Sequence, residues 1–176
     1  MPANIHIRRL ESVGERDIEG LSDVLIDCVE GGASVNFMLP MTRAKAHMLW
    51  RNASAGVARG DRVLLVAEDA QGAIVGTVQV IWAQPENQPH RGDVAKMLVH
   101  RRARKQGVGA ALLAAAEREA FDAGKTLLVL DTVTGADAER MYAGHGWQRC
   151  GVIPNYALWP DGRPCATTVF FKSLSA

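Results

Sequence analysis

The chain has 176 residues, 48% of them hydrophobic and 22% charged, with a formal net charge of +1. That length suffices for one sizeable core and is short for two, so a single domain over residues 1–176 is expected. The balanced charge speaks against disorder, a general nucleic-acid coat and a polybasic membrane anchor.

In chain order, alternation over Ile5 to Leu10 predicts a first strand. The start, Met1 to Arg8, lacks the layout of a signal peptide, and no apolar stretch reaches membrane-spanning length. From Glu15 to Glu30, Ile18, Leu21, Val24, Leu25, Cys28 and Val29 recur at helical spacing, and Gly31-Gly32 supplies a stop. A second helix is expected from Thr42 to Ala58. Val63 to Ala67 and Ala73 to Trp82 then read as two strands of a hairpin, joined by the turn-rich Glu68 to Gly72. Without a signal-peptide layout or a spanning stretch a cytoplasmic location is expected, and Cys28, Cys150 and Cys165, odd in number and without metal-like spacing, favour reduced thiols over disulfides or a zinc site, with no metal.

The most informative stretch comes next. A short apolar run, Val94 to Val99, stops at a basic loop, and an alanine-rich helix begins at Arg104-Lys105-Gln106-Gly107-Val108-Gly109-Ala110. Such a strand, loop and helix start lets backbone N–H groups converge on phosphate oxygens, while the helix dipole favours negative charge. Arg101, Arg102, Arg104 and Lys105 put four cations within five residues, which suits a diphosphate. A plain solvated turn is the bland alternative. The pattern Gly-x-x-x-x-Gly-Lys-Ser/Thr is absent, and a dinucleotide fingerprint would need a third glycine where Leu112 stands.

The helix should run to about Gly124 and lead into a strand at Thr126 to Leu130, parallel to the strand before the loop because a helix-sized crossover separates them. Thr134-Gly135-Ala136-Asp137 reads as a capping box for a helix carrying Tyr142 and ending at Gly146. Two last strands flank Pro160-Asp161-Gly162. The expected class is α/β: one mixed sheet with helices on its faces.

The basic glycine loop with its strand and helix resembles the acetyl-CoA signature of the GCN5-related N-acetyltransferases. Ala138-Glu139-Arg140-Met141-Tyr142-Ala143-Gly144-His145-Gly146-Trp147 is similar to a second segment of that family, Ala-x-x-x-Tyr-x-x-x-Gly-aromatic. The resemblance implies a mostly antiparallel sheet with a central parallel strand pair and helices on both faces, and acetyl-CoA as acetyl donor. It implies that Met97, Leu98 and Val99 pair with pantetheine through their backbones, and that residues Arg104, Lys105, Gln106, Gly107, Val108, Gly109 and Ala110 hold the pyrophosphate. It also gives Tyr142 the role of general acid. From packing alone Tyr142 reads as part of an apolar helix face, and residues 97–99 as core.

Acyl transfer to an amine also needs a proton acceptor. Asp131, following its strand at the end where parallel sheets build ligand sites, is the first candidate, with a turn-closing role equally open. Asp93 is the second, against an ordinary solvated loop carboxylate. Gly32, Ser34, Phe37, Asn155, Tyr156 and Asp161 are the expected acceptor-pocket residues, by similarity to a toxin-resistance member of the family; a helix stop, an exposed aromatic and a surface turn are their bland readings. The expected partner is a small amino-acid-like or toxin-derived amine, with no nucleic acid and no membrane, and a homodimer is expected from family habit. A peptide amine, or acyl-CoA sensing without turnover, are the alternatives.

Overall fold

The computed structural model describes residues 5–174, so Met1 to Asn4, part of the start weighed above, lie outside it. In chain order the elements are β1 (His6–Arg9), α1 (Glu15–Glu30), α2 (Arg43–Ala58), β2 (Arg62–Glu68), β3 (Ile74–Trp82), β4 (Arg91–Val99), a 3-10 turn (Arg101–Ala103), α3 (Val108–Asp122), β5 (Leu127–Val133), α4 (Asp137–Gly144), β6 (Gln148–Leu158) and β7 (Pro164–Ser173). The strands form one seven-stranded sheet, β1-β2-β3-β4-β5-β7-β6. All neighbours are antiparallel except β4 and β5.

Strand alternation divides the core between two faces. Val63, Leu65 and Ala67 of β2 join Leu112, Leu113 and Ala116 of α3 and Tyr142 of α4. Leu64 and Val66 point the other way, into the layer of α1 and α2 with Leu21, Leu25 and Trp50. Gly76 of β3 explains how closely α3 lies on the sheet, since a Cβ there would come within 3.0 Å of Leu112 and 3.1 Å of the Leu98 carbonyl.

The helix ends have local causes. The Gly14 N–H donates to Asp17 in the first turn of α1, and the Lys45 N–H donates to the Thr42 hydroxyl that caps α2. Three expectations need correction. β4 starts at Arg91 rather than Val94, so Asp93 lies inside the strand. β5 extends to Val133, because each of its residues pairs with one of β7 from Ser173 back to Thr167; Asp131 is a strand residue opposite Val169 and closes no turn. The capping box at Thr134 does not form. Thr134 shares a 2.9 Å hydrogen bond with Thr168 of β7, Ala136 caps α4, and Glu139 accepts from the Gly135 N–H.

Candidate active site

β4 and β5 pair over three residues only: Arg91 with Leu127, Gly92 with Leu128 and Asp93 with Val129. Beyond them β4 stays with β3 and β5 stays with β7, so the sheet opens into a wedge. A bulge belongs to this parting. Gln79 faces Ala95 and Thr77 faces Leu98, which leaves Lys96 and Met97 together opposite Val78, with Lys96 at φ 51. The edge of Met97, Leu98 and Val99 that looks toward β5 therefore has no strand beside it.

The basic loop lies at the open end of β4. Lys105 (φ 59) and Gly107 (φ 82) are both left-handed, and Gly107 caps α3. Among the described residues no loop or turn acceptor takes the backbone N–H groups of residues 105–110, the last three of which are first-turn orphans of α3. A Cβ on Gly107 would meet nothing within 4 Å, which leaves room for an anion to approach the backbone. Gly109 has a different reason for being small: a Cβ there would lie 3.0 Å from Met141 of α4.

Most of the cations around the loop are already engaged. Arg101 pairs with Asp27 at 2.8 Å and Arg102 with Asp69 at 3.2 Å. Arg104 donates to the Val99 carbonyl at 3.0 Å and reaches Cys28 Sγ at 3.8 Å, tying the loop to the end of β4. Gln106 donates to the Arg102 carbonyl. The cradle is thus mainly backbone N–H, with the side chains holding its shape.

Tyr142 stands on α4, 4% exposed, with its ring 5.8 Å from Trp147 and 6.1 Å from Phe170. Burial, and after it the Asp131 charge, pushes the phenol well above its ordinary value, so it stays protonated. The C-terminal end of α4 is fixed through Glu117 of α3, which accepts from Trp147 Nε1 at 2.9 Å and from Lys172 at 2.7 Å, while Lys172 also donates to the His145 carbonyl. Asp131 is exposed at the wedge, and the Thr167 hydroxyl lies 2.9 Å from its Oδ2. The Asp131 charge also acts on Lys96: burial lowers the ammonium, and Asp131 partly restores it. Asp93 is kept apart, at the closed end of the wedge, where it accepts from Arg91 at 2.6 Å.

The expected acceptor residues fall in two neighbouring segments. Gly32 (φ 90) turns the chain after α1, the Ser34 hydroxyl donates to the Leu158 carbonyl at 2.6 Å, and the Leu39 N–H donates to the Pro160 carbonyl at 3.1 Å. Residues 34–39 are thereby stitched to the β6–β7 turn. Phe37 is partly buried against the α1 and α2 layer. Asn155 (φ 53) and Tyr156, 55% exposed, occupy a stretch where β6 slips against β7 between Ile153 and Ala157. Asp161 is bound to Arg163 at 2.8 Å within its own turn. Sequence reasoning missed Lys96, Thr167 and Glu117; the lone lysine inside the apolar run from Val94 was the one available signal.

A separate groove of about 860 Å³ between α1 and the β2–β3 hairpin is lined by Arg8, Asp17, Asp27, Glu68 and His100 among others, and none of the wedge residues borders it. Among the described residues no group of three or more His, Cys, Asp or Glu could hold a metal ion, and no helix is long and apolar enough to cross a membrane.

The family model described as "Acetyltransferase (GNAT) family" matches residues 36–147. Among solved structures, a proposed phosphinothricin N-acetyltransferase is 20% identical with a TM-score of 0.81, covering 98% of this chain and 100% of its own. A ribosomal-protein-alanine N-acetyltransferase from Brucella melitensis is 24% identical with a TM-score of 0.79, at 96% and 99% coverage. A proposed acetyltransferase from Salmonella typhimurium, yncA, solved with its cofactor acetyl-CoA, is 19% identical with a TM-score of 0.78, at 99% and 96% coverage. At these identities the likeness establishes the fold.

Proposed function

Because the chain belongs to the acetyltransferase (GNAT) family, we propose that it moves an acetyl group from acetyl-CoA to the primary amine of a small amino-acid-like or toxin-derived molecule, by direct attack within a ternary complex. The observation that supports this reading is the wedge between β4 and β5: unpaired N–H groups of residues 105–110 follow β4, and Asp131 on β5 lies close enough for its charge to act on Tyr142. The residues fit the donor. The 105–110 N–H groups suit a pyrophosphate, and the free edge of Met97, Leu98 and Val99 suits an amide-bearing chain laid beside β4.

Bound there, acetyl-CoA supplies an acetyl group activated as a thioester. Asp131 accepts the proton that the substrate ammonium must lose, directly or through water, with Thr167 fixing one carboxylate oxygen. Asp93, held by Arg91, is the second choice for that task. Tyr142, kept neutral by its burial, offers a proton to the departing sulfur. Gly32, Ser34, Phe37, Asn155, Tyr156 and Asp161 shape the acceptor side.

A small acceptor is favoured over a peptide by the bonds from Ser34 to Leu158 and from Leu39 to Pro160, which draw two segments together instead of leaving an open groove. Segments 31–37, 130–132 and 160–163 also resemble tabtoxin resistance protein. Retention of Tyr142 argues against a sensor without turnover. A homodimer is proposed on β6, an edge strand that exposes Val152, Ile153 and Leu158. The three free cysteines fit a cytoplasmic location. A screen of amines with acetyl-CoA, following free thiol release, tests the function; tight CoA binding with no amine acetylated would replace it with the sensing role.

A further inference from the structure

Resting on the acetyltransferase reading above, the geometry points to Lys96 as the residue that holds a carboxylate of the acceptor. The substrate would then be an amino-acid-like zwitterion, with its amino group toward Asp131 and its carboxylate on Lys96. The first observation is the backbone. Lys96 sits at φ 51 on the bulge, a conformation that non-glycine residues adopt rarely and at a cost of about 1–3 kcal/mol, and which collects at functional sites.

The second is register. Asp93 lies opposite Val129, so two residues further along each parallel strand Ala95 and Asp131 reach the same level. Lys96 follows Ala95 at that level, and the Asp131 charge acts on it. The third is the missing contact partner. Burial disfavours the ammonium and the Asp131 charge offsets this only in part, while among the described residues no hydrogen bond or ion pair within contact distance holds the Lys96 side chain. Neighbouring cations differ: Lys172 is held by Glu117 at 2.7 Å, and Arg149 is 3.8 Å from Glu139. Lys96 is half-buried, and a partly desolvated cation with no contact partner gains from a ligand that supplies the anion. A cation and an anion near the same level of neighbouring strands complement the two ends of an amino acid, whereas a neutral amine would leave Lys96 unanswered.

The test compares matched acceptors, the proteinogenic amino acids and their carboxamides, with acetyl-CoA and the wild-type protein, Lys96→Met and Lys96→Arg. Wild type should favour the carboxylate member by about 10–100-fold in kcat/KM, as expected for a partly desolvated charge contact. Lys96→Met should raise KM for the carboxylate member by that factor more than for the carboxamide, so that the preference collapses, and bind acetyl-CoA as before, while Lys96→Arg should keep the preference. Equal kcat/KM on both members in wild type, or an equal loss on both in Lys96→Met, would overturn the assignment and leave the transferase reading intact. Acetylation of neutral amines alone would do the same. CoA binding with no amine acetylated at all would instead remove the transferase reading, and this proposal with it.

Discussion

Replacing Tyr142 with Phe removes one oxygen from a buried side chain of α4. The ring keeps its contacts with Trp147 and Phe170, and nothing in the surroundings of the phenol indicates a hydrogen bond that the change would break, so the stability cost should stay below about 1 kcal/mol. Chemistry should suffer far more. If the hydroxyl delivers the proton to the departing sulfur, its loss should slow the acetyl-transfer step by about 10²–10⁴-fold, equivalent to about 2.7–5.5 kcal/mol. Single-turnover measurements with enzyme in excess over acetyl-CoA isolate that step from product release, and calorimetry should report unchanged acetyl-CoA affinity. The raised phenol pKa adds a check. Because the folded state holds this proton more tightly than the unfolded chain, the resulting stability is complete below about pH 10 and is lost as pH rises through the folded value. Wild type and Tyr142→Phe should therefore show parallel stability through neutral pH and diverge only in strong alkali. A full chemical rate in folded Tyr142→Phe protein would refute the assignment.

Asp131→Asn preserves size and the Thr167 contact but removes basicity, so its defect should shrink as rising pH frees the amine; a pH-independent defect, measured in single turnovers, would reduce Asp131 to a positioning role. Gly107→Val places a side chain in the open space above the cradle at a left-handed φ, and should weaken CoA binding about tenfold or more while costing about 1–2 kcal/mol of stability; unchanged affinity by calorimetry would remove the loop from the site. The proposed dimer on β6 should appear by light scattering and be lost in Ile153→Lys, and a monomeric wild type at assay concentration would refute it.

What could be read from the chain follows from which forces are local. The spacing of Ile18, Leu21, Val24 and Leu25 marks α1 because one helix face carries it, and Gly107 marks the start of α3 because glycine takes its left-handed φ without strain. The start of β4 was hidden. Arg91-Gly92-Asp93 looks like a loop, yet Arg91 and Asp93 pair with each other, and Gly92 lets Val80 and Leu128 close over the strand. Thr134 likewise has the appearance of a cap until β7 brings Thr168 beside it. Lys96 was the least legible, since a lysine within an apolar run reads as an outward face, and the one-residue bulge that carries it is decided by pairing with β3.

The three-residue seam between β4 and β5 has a consequence for the molecule as a whole. It leaves the sheet as two leaves, one of four strands and one of three, joined at a short spine and by the common core beneath. Whatever lies along the free margin of β4 takes the place of an absent neighbour strand and splints the leaves together. Any ligand seated there would raise the stability of the joined sheet by mass action, in proportion to how far its concentration exceeds its dissociation constant.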